Sequence, residues 1–234
     1  MRDREPQHAA ELAPIAPLTL VREMVGTDRY GGLLLSLLGS LVLFGVVREI
    51  RFGGVLRGIV LALALVLAVR AAGVPWRRAG LWFGAGAAAM FAPLVADAVV
   101  VSHTLPVVAD TTTLILSLLM GTLVARRLVQ HSRVAIGTIL GALCVYLILG
   151  MLFSSAFAIL TKLQPGFFAT ENVRAADYLY FSFGQLTTVG SPPLRPGTDL
   201  ARMLAVLEAL VGQIYLVTVV ALLVSNLGRA RSRR

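Results

Sequence analysis

Long apolar runs, separated by short clusters of arginine, glycine and proline, set the architecture of this chain. Six runs are long enough to cross about 30 Å of hydrocarbon, which takes about 20 helical residues. They lie near 30–47, 54–72, 79–101, 106–124, 134–160 and 200–227. The expected fold is an all-α integral membrane protein with six transmembrane helices. Residues 1–29 hold an amphipathic stretch around Leu18, Val21, Met24 and Val25, which fits either an interfacial helix or a disordered tail. Mixed charge and prolines precede the first apolar run, so no signal peptide is expected.

The gap between the fifth and sixth runs is patterned differently. It opens with Lys162-Leu163-Gln164-Pro165-Gly166, a turn by its Pro-Gly pair. A second helical stretch, 175–186, is too short to cross and reads as a re-entrant helix. Its C-terminal end, carrying roughly half a negative charge from the helix dipole, points at the polar loop Thr187-Thr188-Val189-Gly190-Ser191-Pro192-Pro193. Inside a membrane, non-helical backbone survives only when it is buried in protein or lines a water-filled path. A Thr-Val-Gly run there can turn a hydroxyl and successive carbonyls toward one axis, replacing a cation's hydration shell.

Composition agrees with a membrane protein: 57% of residues are hydrophobic and 14% charged. The net charge of +9 is carried largely by arginines between the apolar runs. The positive-inside bias explains that placement, and no basic face or reading module for nucleic acid accompanies it. With the N-terminus cytoplasmic, the inner side collects Arg22, Arg29, Arg70, Arg77, Arg78, Arg126, Arg127, Arg133 and the C-terminal arginines. Arg48 and Arg51, partly offset by Glu49, fall outside and disagree. The balance places both termini in the cytoplasm. There is no room for a soluble catalytic domain. Cys144 is the only cysteine and reads as a small buried hydrophobe. The preference for arginine over lysine suggests a GC-rich bacterial genome.

Asp177-Tyr178-Leu179-Tyr180-Phe181-Ser182, followed by Leu186-Thr187-Thr188-Val189-Gly190, resembles the pore helix and filter of tetrameric potassium channels. Downstream, Pro196, Arg202, Leu207-Glu208-Ala209-Leu210 and Gly212-Gln213 resemble the inner helix of the bacterial two-transmembrane pore module. The resemblance covers about 134–226. It implies a homotetramer in the cell membrane with the filter on the fourfold axis, no cofactor, and monovalent K+ or Na+ as permeant ions. It divides the chain into a cytoplasmic segment (1–29), a four-helix bundle (30–128), a pore domain (129–228) and a basic tail (229–234). The bundle has the layout of a voltage sensor, but its fourth span lacks repeating arginines. Each charge moved across the field is worth about 2.3 kcal/mol per 100 mV, so weak or absent voltage dependence is expected.

Where such filters usually continue Tyr-Gly-Asp, this chain has Ser191-Pro192-Pro193. In the family, Thr188, Val189 and Gly190 correspond to the inner ion sites. The family's second glycine takes a left-handed conformation that Pro192 cannot adopt, and each proline pushes the residue before it toward extended geometry. Ser191 removes the tyrosine that braces the family's filter, and Pro193 removes its outer acid. Arg195 adds positive charge at the outer mouth, only partly screened at a Debye length of about 8 Å. Relaxed or altered selectivity is therefore expected. A non-conducting scaffold or regulatory assembly that keeps the channel fold is the alternative.

The remaining candidates are supporting residues. Tyr180, Ser182 and Gln185 lie on the short helix, and Gln185 is either a hydrogen-bonding support behind the filter or a polar helix end. Glu208 matches the family's inner-helix glutamate and is expected to make a structural contact behind the filter. Gly212 fits either a gating hinge or close helix packing, with Val219, Leu223 and Asn226 at helical spacing beyond it. Asp97, Asp110 and Arg57 are intramembrane charges that fit functional roles or an ion pair. His103 and His131 are too far apart and too few to form a metal site.

Overall fold

The computed structural model describes residues 30–46, 53–72, 105–130, 136–170, 173–190 and 194–231. Among them are six α-helices: α1 Gly31–Val46, α2 Gly53–Ala72, α3 Leu105–Gln130, α4 Ile136–Leu163, α5 Ala175–Leu186 and α6 Asp199–Arg231. The apolar run at 79–101 and the segment 1–29 lie outside the described residues. Within the described residues, three helical stretches are long and apolar enough to cross a membrane: Asp110–Val129, Gly137–Leu163 and Asp199–Leu222. Helices α1 and α2 carry shorter apolar stretches, Gly31–Leu43 and Ala62–Ala71. The protein is an all-α membrane protein.

Helices suit these segments because they satisfy every backbone N–H and C=O without water. Hydroxyls inside them fold back on the same helix, as Ser40 Oγ does on Leu37 O (2.6 Å) and Thr111 Oγ1 on Val107 O (2.7 Å). Helix α4 is the central post. Helix α3 runs along it, α1 packs on both α4 and α2, and α2 closes against α3. Leu37, Ala68, Met120, Cys144 and Ile148 form their shared core, which Leu179 of α5 joins. Cys144 is buried and unbridged. An ion pair between Lys162 Nζ and Asp110 Oδ2 (2.5 Å) ties the end of α4 to the first turns of α3.

An aromatic cluster supports α5 from behind. Phe181 meets Phe157 edge-on (centroids 5.1 Å) and Phe168 likewise (5.0 Å), the arrangement ring quadrupoles favour. The chain reaches this cluster through the turn at Gln164, Pro165 and Gly166, with Gly166 left-handed (φ 78°). Beyond the turn, Phe168 pairs with Pro196 in an isolated antiparallel bridge. Ala169 N donates to Arg195 O (2.8 Å) and Gly197 N to Phe167 O (2.9 Å). A β-carbon at Gly197 would run into the Gly166 carbonyl, so glycine is needed for this crossing. The loop before α5 and the strand after the polar loop are thus strapped together.

Candidate functional site

Helix α5 has 12 residues. At 1.5 Å per residue it is about 18 Å long, too short for a membrane of about 30 Å. Its start is fixed by charge. The Asp177 carboxylate accepts from Arg174 N (2.9 Å) and pairs with the Arg174 guanidinium (3.2 Å), capping the first turn. Burial pulls the Asp177 carboxyl upward, but its hydrogen bonds to the Arg174 side chain and backbone and the guanidinium charge outweigh that. The net effect holds it below the usual carboxylate value.

The far end of α5 is clamped between α4 and α6 in two layers, one helical turn apart. In the first layer, Ser182 Oγ lies 2.7 Å from Gly150 O of α4 and also hydrogen-bonds Glu208 Oε1 of α6. Ser182 and Glu208 are both fully buried. In the second layer, four residues further on α5, Leu186 O accepts from Tyr146 Oη of α4 (3.0 Å). Gly212 of α6 backs onto the same carbonyl so closely that a β-carbon there would lie 2.6 Å from Leu186 O. Gly150 has the matching role on α4, where a β-carbon would lie 2.6 Å from the Phe183 ring. Tyr215 of α6 stacks on Tyr146 (5.8 Å) and donates to Ala142 O (2.6 Å), locking α6 to α4 beyond the clamp.

The polar loop leaves this clamp and turns back on itself. Thr187 N and Thr187 Oγ1 both donate to Phe183 O, at 3.0 and 2.6 Å. Thr188 N donates to Gln185 O (3.0 Å), and Gly190 N reaches Gly184 O (3.0 Å), folding the loop along α5. Thr188 has φ 59° and Gly190 φ 66°, whereas Val189 between them is not left-handed. A β-branched residue in the left-handed region is strained by about 1–3 kcal/mol. The N–H groups of Thr188 and Gly190 are thus both turned back onto carbonyls of α5. Thr188 Oγ1 donates to Thr187 O (2.7 Å) and receives a long contact from Gln213 Nε2 of α6 (3.4 Å).

The other predicted residues fall as follows. Val189 is 75% exposed and Tyr180 56% exposed, so neither is covered within one chain. Gln185 is half-buried and contributes its carbonyl to Thr188. Ser191, Pro192 and Pro193 lie outside the described residues. Arg195 is exposed; its backbone N–H donates to Thr170 Oγ1 (3.3 Å) and its carbonyl holds the strap. Val219 is half-buried, while the side chains of Leu223 and Asn226 on α6 and of Arg57 on α2 are outside the described set. Asp97, His103 and His131 are also outside it, and Asp110 is in the ion pair with Lys162. Among the described residues no group of three His, Cys, Asp or Glu could hold a metal ion.

Tyr146, Tyr215 and the contact of Gln213 with Thr188 were not singled out from the sequence. A phenol one helical turn before Gly150 in an apolar run was the available signal, since a buried Tyr needs a partner for its hydroxyl.

No curated protein and no solved structure matches the chain. Residues 138–229, from the first turn of α4 almost to the end of α6, do match the model of the ion channel family. That segment holds the clamp, the polar loop and α6, and the match identifies it as similar to the ion channel family, consistent with the potassium-channel superfamily.

Proposed function

We propose that this protein is a homotetrameric, potassium-channel-like cation channel with relaxed or altered selectivity. The observation that carries this reading is the loop itself: a strained Thr188 and a left-handed Gly190 flanking Val189, at the C-terminal end of a non-spanning helix clamped by two long ones. Carbonyls presented on one side of such a loop, together with the Thr188 hydroxyl, can replace the water around a monovalent cation. The C-terminal end of α5 adds a partial negative charge behind them.

Tetramer formation is supported by what a single chain leaves uncovered. Thr187 and Thr188 are exposed, as is Gln213 in the candidate span Asp199–Leu222, beside the exposed apolar side chains of Leu210, Ile214 and Val217 on α6. Polar side chains cannot face hydrocarbon, so three further copies and a water-filled axis account for both kinds of exposure. In this reading α6 lines the pore below the filter, Val219 and Leu223 border the inner vestibule, and Gly212 is a point of close packing. Four copies of Arg195 raise the potential at the outer mouth. The six-span layout, with both termini cytoplasmic in the plasma membrane, completes the assignment.

Purified full-length protein in liposomes tests this reading. Tetrameric protein is expected to admit monovalent cations and to exclude chloride. Verified tetramers without cation flux would favour the non-conducting scaffold instead.

A further inference from the structure

The contact between Ser182 and Glu208 poses a problem of proton counting. Ser182 Oγ has one proton, yet two oxygens lie within hydrogen-bond distance of it: Gly150 O at 2.7 Å and Glu208 Oε1. If the proton goes to a Glu208 carboxylate, the hydroxyl oxygen faces the Gly150 carbonyl with lone pair against lone pair. If it goes to Gly150, the same repulsion appears at Glu208. Only a second proton, on the carboxyl oxygen facing Ser182, leaves both contacts hydrogen-bonded.

The surroundings agree. Glu208 is fully buried, and its other oxygen, Oε2, has no hydrogen-bond partner among the described residues. None of the ion pairs among the described residues includes it. An ionised carboxylate here would bury a charge with one oxygen unserved and no counter-charge among the described residues, which is far costlier than a neutral acid. The titratable groups around it are already engaged or removed from it. From α4, Tyr146 gives its proton to Leu186 O. On α5, Asp177 is paired with Arg174, and Tyr178 lies one turn before Ser182. On α6, Tyr215 gives its proton to Ala142 O, two turns beyond Glu208, and Asp199 and Arg202 pair with each other near the start of the helix.

We propose that Glu208 carries a proton at neutral pH and donates it to Ser182 Oγ, which donates onward to Gly150 O, so that Glu208 is a positioning residue for the filter. The relay joins α6, α5 and α4 one turn behind the polar loop, at the first layer of the clamp. Loss of the proton to solvent leaves one hydrogen for two acceptors and a bare charge behind the pore helix. The tie between α5 and one of its neighbours then opens. The consequence for the filter rests on the channel reading; the proton assignment does not.

Infrared difference spectra of the full-length protein in lipid, between wild type and Glu208→Gln, test the assignment without requiring conduction. A protonated-carboxyl band is expected at neutral pH in wild type, lost in Glu208→Gln and lost from wild type at alkaline pH. Ser182→Ala is expected to keep the band but shift it to higher frequency, because the acid loses its acceptor. Absence of the band at neutral pH, or no shift in Ser182→Ala, overturns the assignment. Should Glu208→Gln fail to assemble, the Ser182→Ala shift decides. Cation flux read against pH tests the positioning role. Wild type should lose flux over the same alkaline range in which the band disappears, and Glu208→Gln, whose amide still donates to Ser182, should lack that fall. Flux that ignores the loss of the band overturns the positioning role. No flux at any pH refutes the channel reading while the spectra still decide the proton.

Discussion

Gly212 and Gly39 both sit inside apolar helices, but they differ in what a methyl group would meet. At Gly39 nothing lies within 4 Å of the position a β-carbon would take. At Gly212 that position is 2.6 Å from Leu186 O, 2.9 Å from Leu186 Cδ1 and 3.2 Å from Leu186 Cγ. A carbon needs about 3.3 Å from a carbonyl oxygen, so α6 would have to retreat from α5 by about 0.7 Å at this point. Leu186 O belongs to the end of α5 and is already held by Tyr146, so it cannot swing aside freely. Replacing either glycine by alanine gains helix propensity of about 1 kcal/mol. Only Gly212→Ala also overpacks, at about 1–3 kcal/mol. The two variants should therefore differ in stability by about 1–3 kcal/mol, Gly39→Ala being the more stable, when unfolding is measured in the same detergent. Equal stabilities would mean that α6 and α5 are not in contact at Gly212 and would refute the close-packing account.

Tyr146→Phe removes the donor to Leu186 O and should cost about 1 kcal/mol in the same unfolding assay while shifting cation selectivity. Unchanged selectivity and stability would show that the second layer of the clamp does not hold the loop. Asp177→Asn should lower stability at neutral pH by about 1 kcal/mol, discounted for the exposure of Arg174. Because the folded Asp177 carboxyl is held below its ordinary value, its stabilisation is present above the unfolded value of about 3.9 and is lost as pH falls through the folded one. Wild type should converge on Asp177→Asn at that acid limb, and parallel curves would contradict the capping role. Thr188→Gly should relieve backbone strain of about 1–3 kcal/mol and so stabilise the protein, yet lower cation permeation in liposomes several-fold. A destabilised variant with normal permeation would remove Thr188 from the site.

The helices were legible because hydropathy and helix breakers act locally. The short helix reads as 175–186 from its length and the turn before it, and α5 has those bounds. The fifth and sixth runs, 134–160 and 200–227, correspond to α4 and α6, whose last turns extend further as charged and polar residues continue the helix. Which faces meet was not legible. In a soluble helix an apolar stripe marks the buried side, but lipid is as apolar as leucine, and a spanning helix is apolar all round. The partners of Ser182 are 32 and 26 residues away, and no periodicity announces them. Gly212 shows the limit clearly: a glycine in an apolar helix fits a hinge or a contact equally well until the Leu186 carbonyl is located beside it. Thr188 was recognisable by type and position, whereas its left-handed backbone depends on how the loop is pinned to Gly184 and Gln185.

The most direct test of the central claim is the reversal potential of purified tetramers in planar bilayers, with potassium on one side, sodium on the other and anion current excluded by a separate salt gradient. A filter intact at Thr188, Val189 and Gly190 but interrupted at Ser191, Pro192 and Pro193 predicts a cation current reversing near zero. A reversal at the potassium equilibrium potential would contradict relaxed selectivity and show that the proline exit is tolerated. No cation current from verified tetramers would contradict the channel itself.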